Sequence, residues 1–221
     1  MGLDKIKGFI FDLDGVISNT SVLHSKAWKQ IADKVGTPWN DKLAEDLKGV
    51  DRMDSLNLIL DRGNLQGKYT EEDKLALAQE KNDNYLNLVD QMSPADILPG
   101  IKEFLDSLRD NGYLIALASA SKNAPTVLEK LQLSEYFKKV VNPALLSKGK
   151  PDPEIYTKGA EILDLAPEQC IGIEDAEVGI AAINGAGETS IGIGSADILK
   201  DADIVFASTE ELTLDNIEKA L

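Results

Sequence analysis

The chain has 221 residues, and its 38 acidic and 23 basic side chains give a formal net charge of −15. This acidity disfavours binding to nucleic acid or to anionic membranes, because both are bound through basic surfaces. A single cysteine and a single histidine exclude an internal disulfide and a zinc site built mainly from Cys and His ligands. The first eight residues carry charge, and no run of about 18 apolar residues occurs, so we expect a cytoplasmic protein.

Short apolar runs, each too short for a helix, recur along the chain. Continuous rather than alternating hydrophobicity is typical of strands covered on both faces, as in a parallel sheet. From about residue 97 onward these runs alternate with helical periodicities, which predicts an α/β fold with a Rossmann-like parallel sheet core. The predicted strands are residues 8–11, 113–118, 140–141, 170–173, 190–193 and 204–206.

Nearly 90 residues separate the first predicted strand from the second, and they carry helical patterns only. A crossover between parallel strands needs only about a dozen residues, so this interval is an insertion. We expect an all-helical cap domain over residues 16–92. Residues 1–15 and 93–221 then form the α/β core.

Polar side chains follow the predicted strands, at the edge of a parallel sheet where ligands bind. Asp12 and Asp14 follow the first strand, Ser119 follows the second, and Glu174 and Asp175 follow the strand that begins at residue 170. Lys150 lies in a loop before that strand. Clustered carboxylates can stay ionised only if cations lie between them, and Mg²⁺ suits such oxygen ligands. A nucleophile, a proton carrier, a metal and a lysine are the components of Mg²⁺-assisted phosphoryl transfer.

Each of these side chains alone has an ordinary structural explanation. Asp-x-Asp-Gly occurs in turns, Ser119 would suit a helix N-cap, and Lys150 would suit a solvated surface. The combination at successive strand ends is what indicates a catalytic site.

Residues 11–17, which read Phe-Asp-Leu-Asp-Gly-Val-Ile, followed by Ser119, Lys150 and the Glu174-Asp175 pair, resemble the motifs of the haloacid-dehalogenase-type (HAD) phosphotransferase superfamily. The helical insertion resembles the cap of that superfamily. Within it, His24, Trp28, residues 47–52, Ser55 and residues 81–85, together with residues 119–123 of the core, resemble the sugar-phosphate mutases of the superfamily.

The resemblance implies catalytic roles for four residues. Asp12 would be the nucleophile that becomes an aspartyl phosphate, and Asp14 would be the general acid and base. Ser119 and Lys150 would bind the transferring phosphoryl group. Mg²⁺ would be held by Asp12, by the backbone carbonyl of Asp14 and by Asp175, with Glu174 as a direct or indirect contributor.

The resemblance also implies a substrate. The chain would be an isomerase of carbohydrate metabolism that interconverts β-D-glucose 1-phosphate and glucose 6-phosphate. The reaction would pass through the aspartyl phosphate and β-glucose 1,6-bisphosphate. We expect a monomer whose partner is a small sugar phosphate, with neither nucleic acid nor membrane. The substrate-binding candidates are His24, Trp28, Lys48, Gly49, Val50, Arg52, Ser55, Lys81, Ala120, Ser121, Lys122 and Asn123.

Three other functions remain open from the sequence. One is a capped phosphatase that hydrolyses small sugar phosphates, another is a phospho-acceptor signalling domain, and a third is a non-catalytic protein that retains the fold. The superfamily's usual Thr-Asp-Thr after the first motif is replaced by Ser18-Asn19-Thr20. Glu188 is an acid where a small or apolar residue is expected, and the sequence offers no function for it.

Overall fold

The structure is a computed structural model that describes residues 2–221. The chain divides into two compact units: one comprises the described residues up to Asn19 together with Ser93–Leu221, and the other comprises Thr20–Met92. The helical unit thus begins four residues after the boundary inferred from the sequence. Val16 and Ile17 are fully buried, and the Ile17 carbonyl accepts a hydrogen bond from the Leu98 amide within the first unit.

The helical unit is built around an apolar core to which all its helices contribute. Trp28, Ile31, Leu56, Ile59 and Leu77 are among its buried members. Three of the helices follow residues whose side chains cap free backbone amides, Asn40, Asp51 and Thr70. The helices of this unit are α1 (Thr20–Val35), α2 (Asp41–Asp46), α3 (Arg52–Arg62) and α4 (Glu71–Val89).

The other unit contains a parallel sheet. Within residues 2–221 the sheet has six strands: β1 (Gly8–Phe11), β2 (Leu114–Leu117), β3 (Lys139–Val140), β4 (Cys170–Glu174), β5 (Thr189–Ile193) and β6 (Ile204–Phe206). Their order is β3-β2-β1-β4-β5-β6, and every neighbouring pair is parallel. All residues of β1 and β4 are buried, as the continuous apolar runs predicted. The predicted α/β class with a Rossmann-like parallel sheet is confirmed.

Within residues 2–221 the same unit contains five α-helices. They are α5 (Ile101–Asp110), α6 (Ala124–Lys130), α7 (Glu154–Leu163), α8 (Glu177–Ala186) and α9 (Leu214–Ala220), with short 3₁₀ helices at Leu3–Lys5, Pro94–Asp96, Pro143–Leu145, Pro167–Gln169 and Thr209–Glu211. In the part of the chain that the structure covers, no helix combines the length and the apolar character needed to cross a bilayer.

The strand register determines where the site can form. Phe11 pairs with Leu117 on one side and with Ile173 on the other. The residues that follow these three strands therefore leave the sheet side by side at its carboxyl edge. The strand β2 lies on one side of β1 and β4 lies on the other, so the direction in which strands are added reverses at β1. Such a switch point is where open α/β sheets bind ligands.

Candidate active site

Lys150 connects the first and last acidic motifs. Its ammonium donates hydrogen bonds to Asp12 Oδ1 at 2.8 Å and to Glu174 Oε1 at 2.5 Å. All three side chains are almost completely buried, with 1% of the Lys150 side chain and 7% of the Asp12 side chain exposed. A buried ion network of this kind is stable only when each charge has a partner. The structure therefore places three of the predicted site residues in one charged cluster.

The groups around Asp12 shift the pKa of its carboxyl in opposite directions. Burial raises its pKa to about 7, the positive charge of Lys150 opposes this rise, and the negative charges of Glu174 and Asp14 add to it. Oδ2 of Asp12 accepts a hydrogen bond from the Asp14 amide at 3.1 Å. A carboxylate attacks only in its ionised form, so further positive charge beside Asp12 would increase its reactive fraction at neutral pH.

Asp12, Glu174 and Asp175 form a group that can hold a metal ion. Each offers one carboxylate oxygen, and these oxygens all lie within 4.8 Å of one another. A donor set made only of carboxylate oxygens fits a hard divalent cation such as Mg²⁺.

The Glu174 carboxylate is already largely occupied. One oxygen binds Lys150, and the other accepts hydrogen bonds from the amides of Asp175 and Ala176, both at 2.9 Å. These bonds fix the turn after β4 that carries Asp175. The geometry supports an indirect contribution of Glu174 to the metal site more than a direct one.

Two glycines leave room for these carboxylates. A Cβ at Gly15 would lie 2.0 Å from Asp175 Oδ2, and the φ of Gly15 is +76°, a conformation that side chains disfavour. A Cβ at Gly179, in the first turn of α8, would lie 2.0 Å from the Glu174 carboxyl carbon. The Asp-x-Asp-Gly motif, which is common in turns, pointed to Gly15, whereas no motif pointed to Gly179.

Ser119 lies just beyond β2 and is buried. Its hydroxyl accepts a hydrogen bond from the Ser121 amide at 3.1 Å, and the Ser121 hydroxyl accepts one from the Asn123 amide at 3.3 Å. These bonds shape the loop that leads into α6. Ala120, Ser121 and Asn123 are half-buried, whereas Lys122 is exposed.

The loop that carries Lys150 is tied to the helix that follows it. Oε2 of Glu154 accepts hydrogen bonds from the amides of Ser147 and Lys148, at 2.8 and 2.9 Å. Asp152 Oδ1 accepts a bond from the Glu154 amide at 3.1 Å. This anchored loop places the Lys150 ammonium beside Asp12 and Glu174.

Within the helical unit, Lys81 is the centre of a second cluster. Its ammonium lies 2.6 Å from Nδ1 of His24 and 4.9 Å from the ring centroids of both Trp28 and Tyr85. The His24 and Tyr85 rings stack at 4.0 Å. Burial, together with the charges of Lys81 and Arg52, lowers the pKa of His24. Because the imidazole stays neutral, Nδ1 can accept a hydrogen bond from the buried ammonium.

The remaining cap candidates lie at the start of α3 and before it. Nη2 of Arg52 donates to Asn82 Oδ1 at 2.7 Å, and burial lowers the arginine's pKa. The Ser55 hydroxyl donates to the Val50 carbonyl at 3.3 Å, and Lys48 pairs with Glu45 at 3.0 Å. Gly49 adopts a positive φ of 69° between them.

Sequence reasoning assigned no site role to several residues that support these clusters. Asn82 orients Arg52, Tyr85 covers Lys81, and Glu154 anchors the Lys150 loop. The resemblance covered residues 81–85 as a motif, which was the available signal for Asn82 and Tyr85. Glu154 carried no such signal.

The parallel sheet and the carboxylate cluster together indicate a phosphotransferase-like protein. A protein-family model identifies the family to which this chain belongs. Residues 6–187 match the model of the haloacid dehalogenase-like hydrolases, so the chain belongs to that family. The family resemblance inferred from the motifs is confirmed. Phosphotransferases of this family generally depend on Mg²⁺, and this chain has the acidic cluster.

The similar proteins narrow the class further. The chain is 43% identical to the β-phosphoglucomutase of Bacillus subtilis over 95% of this chain and 93% of that protein. A crystal structure of β-phosphoglucomutase from Clostridium difficile matches with a TM-score of 0.95 and 44% identity, covering 97% of this chain and 96% of the other. The phosphorylated carbohydrates phosphatase of Thermotoga maritima is 29% identical over 82% of each chain.

Proposed function

We propose that this chain is a β-phosphoglucomutase that interconverts β-D-glucose 1-phosphate and glucose 6-phosphate. The observation that carries the proposal is the similarity over nearly the whole chain, cap included, to two proteins of that name. The buried cluster of Asp12, Lys150 and Glu174 supports it with the groups that the chemistry needs.

Asp12 is the proposed phosphate carrier. Phospho-Asp12 donates its phosphoryl group to the 6-hydroxyl of β-glucose 1-phosphate, so the bond between Asp12 and phosphorus breaks and a bond from the sugar oxygen forms. The β-glucose 1,6-bisphosphate then turns over. Asp12 attacks the 1-phosphate, and glucose 6-phosphate leaves with its C1 oxygen. The covalent route divides one transfer into two.

Asp14 is the proposed proton carrier. It accepts the proton of the 6-hydroxyl in the first transfer and returns a proton to the C1 oxygen in the second, so protons balance over the cycle. Its amide already donates to Asp12, which supports a fixed distance between carrier and nucleophile. Ser119 and Lys150 would stabilise charge on the transferring phosphoryl oxygens.

Mg²⁺ is the proposed metal, held by Asp12, Asp175 and the Asp14 carbonyl, with Glu174 as support. When bound, the ion would lower the pKa of Asp12 and neutralise phosphoryl charge. Other residues of the chain position these metal ligands. Lys150 and Glu174 orient Asp12, and Gly15 leaves space for Asp175.

The metal proposal predicts the effect of Asp175→Asn. Mg²⁺ should raise the thermal unfolding temperature of the unchanged protein, because it binds the folded carboxylate cluster and not the unfolded chain. In the variant we expect this shift to be mostly lost and Mg²⁺ affinity to fall about 10-fold or more. Differential scanning calorimetry with and without MgCl₂ measures the temperature shift, and isothermal titration calorimetry measures the Mg²⁺ affinity. Equal Mg²⁺ affinity in the two proteins would remove Asp175 from the proposed ligand set.

The proposed cap-side residues would recognise the sugar and its second phosphate. Arg52 has a guanidinium suited to bidentate phosphate binding, with Ser121, Lys122 and Asn123 as further donors. His24, Trp28, Lys48, Gly49, Val50, Ser55, Lys81 and Ala120 complete the proposed set.

This assignment predicts that Arg52→Ala separates the two sugar-phosphate functions. A mutase must bind both ends of the bisphosphate, so we expect kcat/KM for isomerisation to fall about 100-fold, in line with the loss of a charge-assisted pair. Hydrolysis of a small phosphate such as acetyl phosphate should stay within about 3-fold, because no second phosphate is involved. Lys42→Ala, which removes an exposed cation elsewhere in the same unit, is the matched control. An equal fall in both activities would count against a distal-phosphate role for Arg52.

The experiment that decides the function is a product assay. Purified protein is incubated with β-glucose 1-phosphate, Mg²⁺ and a trace of the bisphosphate, and glucose 6-phosphate and free phosphate are both measured. Glucose 6-phosphate as the main product is expected, and the α anomer should react far more slowly. Free phosphate alone would reject the mutase.

A phosphatase acting on small sugar phosphates is the second candidate. The 29% identity to a phosphorylated carbohydrates phosphatase favours it as the nearest rival. The family match and the helical insertion favour both enzymes over a phospho-acceptor signalling domain. We further propose that the enzyme is a cytoplasmic monomer; light scattering after size exclusion tests its oligomeric state.

A further inference from the structure

Tyr156 lies beneath the ammonium of Lys150. The Lys150 nitrogen is 5.2 Å from the centroid of the Tyr156 ring, within the range of a cation–π interaction. The tyrosine is completely buried. The ring face therefore borders the ammonium in a site from which water is excluded, where such contacts are strongest.

The Tyr156 hydroxyl takes no part in the contact between the Tyr156 ring and the Lys150 ammonium. In the described part of the chain, the buried Tyr156 hydroxyl has no hydrogen-bond partner. A tyrosine retained for hydrogen bonding would place that group against a partner. What this side chain offers Lys150 is its aromatic face.

The position of the ring is fixed by the fold. Tyr156 lies in the first turn of α7, two residues after Glu154, whose carboxylate anchors the start of the Lys150 loop. Farther along the helix, a Cβ at Gly159 would lie 2.8 Å from Ile10 of β1, so helix and strand are in close contact. Because Asp12 follows β1, α7 carries the ring at a fixed distance from the nucleophile.

Lysine needs such a support because its ammonium is a compact charge on a flexible four-carbon stem. Its two hydrogen-bonded partners, Asp12 and Glu174, lie at the reacting end. When Asp12 carries a phosphoryl group, the charge in front of Lys150 changes. The ring face keeps the same character throughout the cycle.

We propose that Tyr156 is a positioning residue whose ring face keeps the Lys150 ammonium aimed at Asp12 and at the phosphoryl group that Asp12 carries. This inference rests on the proposed function, because it gives Lys150 a role in phosphoryl transfer. Tyr156 itself touches no reacting atom.

The test compares Tyr156→Leu with Tyr156→Phe. The leucine removes the face, and we expect kcat to fall about 10-fold to 100-fold with KM changed less than about 3-fold, because a misplaced catalytic group costs rate rather than substrate binding. The phenylalanine keeps the face and removes an unpartnered hydroxyl, so kcat and stability should match or exceed those of the unchanged protein. Ile155→Ala is the matched control, since this neighbour is buried in the same apolar cluster.

A second readout is independent of turnover. In lysine-labelled protein the Lys150 ammonium protons should exchange slowly with water, and in Tyr156→Leu their exchange should accelerate, while Tyr156→Phe and Ile155→Ala leave it unchanged. Unchanged kcat and unchanged exchange in Tyr156→Leu would overturn the inference, as would an equal loss of kcat in Ile155→Ala. Should the unchanged protein form no glucose 6-phosphate, the proposed function fails, and the exchange measurement still decides the role of Tyr156.

Discussion

Replacing Asp12 by Asn should abolish phosphoryl transfer. The amide cannot form the acyl phosphate, so we expect kcat to fall at least about 10³-fold, as for the loss of other covalent nucleophiles. Asn also cannot give Lys150 the negative partner that it has at 2.8 Å. Incubation with β-glucose 1,6-bisphosphate and Mg²⁺, followed by mass spectrometry, measures the phosphoenzyme directly.

The matched control for this prediction is Asp197→Asn. Asp197 is an exposed carboxylate in the loop after β5, so its loss should leave turnover and phosphorylation within about 2-fold of the unchanged protein. Circular dichroism of both variants checks that each is folded. Full activity in Asp12→Asn, or a phosphoryl group found on another residue, would show that the nucleophile has been misassigned.

Glu188 should make the protein less stable as the pH rises. Glu188 lies in the chain between the end of α8 and the start of β5, and its side chain is buried. In the part of the chain described, neither of its carboxyl oxygens has a hydrogen-bond partner. Burial raises its pKa from the ordinary 4.5 to about 9. Two titratable groups interact electrostatically with Glu188, the Cys170 thiol and the Tyr156 phenol. Burial raises the pKa of Cys170 to about 12 and also raises the pKa of Tyr156. Both neighbours keep their protons and are neutral, and neither group can carry a positive charge that would stabilise an ionised Glu188.

The sign of the effect follows from linkage. Below about pH 4.5 both the folded and the unfolded chain hold the Glu188 proton, and the group makes no contribution to the pH dependence of stability. Between pH 4.5 and about 9 the unfolded chain has lost the proton while the folded chain keeps it, so the free energy of unfolding falls as pH rises. The slope for this group is about 1.4 kcal/mol per pH unit, which accumulates to several kcal/mol across the window.

Two substitutions separate charge from burial. Glu188→Gln should flatten this slope, because an amide does not titrate, and Glu188→Met should in addition raise the free energy of unfolding at pH 8 by about 2 kcal/mol or more, because no polar group is left unpaired. Urea unfolding from pH 5 to pH 9 measures both effects. Glu129→Gln, at an exposed position of α6, is the control and should leave the curve unchanged. Parallel curves for the unchanged protein and Glu188→Gln would contradict the buried neutral acid.

The fold was predictable because its strands are buried on both faces. Runs such as Phe9-Ile10-Phe11 and Cys170 to Ile173 have no polar face, and only a covered parallel sheet accommodates them. The all-helical character of the insertion was predictable because its apolar residues recur at helical spacing and not in continuous runs. The inferred start of the insertion differs from the structural one because Val16 and Ile17 are as apolar as residues of a helix, yet they are buried in the sheet unit.

The site was predictable only where motif residues follow strands. Asp12, Ser119, Glu174 and Asp175 occupy strand ends, and a parallel register brings such positions together. The contributions of Glu154, Tyr156 and Gly179 depend on how a loop folds back and on how closely side chains approach. Those are tertiary distances, which no periodicity encodes. Glu188 is the opposite case: the sequence identified it as anomalous, but only its burial explains the physical consequence.

The boundaries of the helical insertion have a consequence for the architecture of the chain. Ser18 and Ile97 form an antiparallel bridge, and the Ser18 hydroxyl donates to the Asp96 carbonyl at 2.7 Å. The segment that leaves the sheet unit and the segment that returns to it therefore lie side by side at this bridge. We expect that a helical bundle from a relative, or a tight turn, joined at these two residues would leave the strands of the sheet unchanged, so that substrate preference can evolve separately from phosphoryl chemistry.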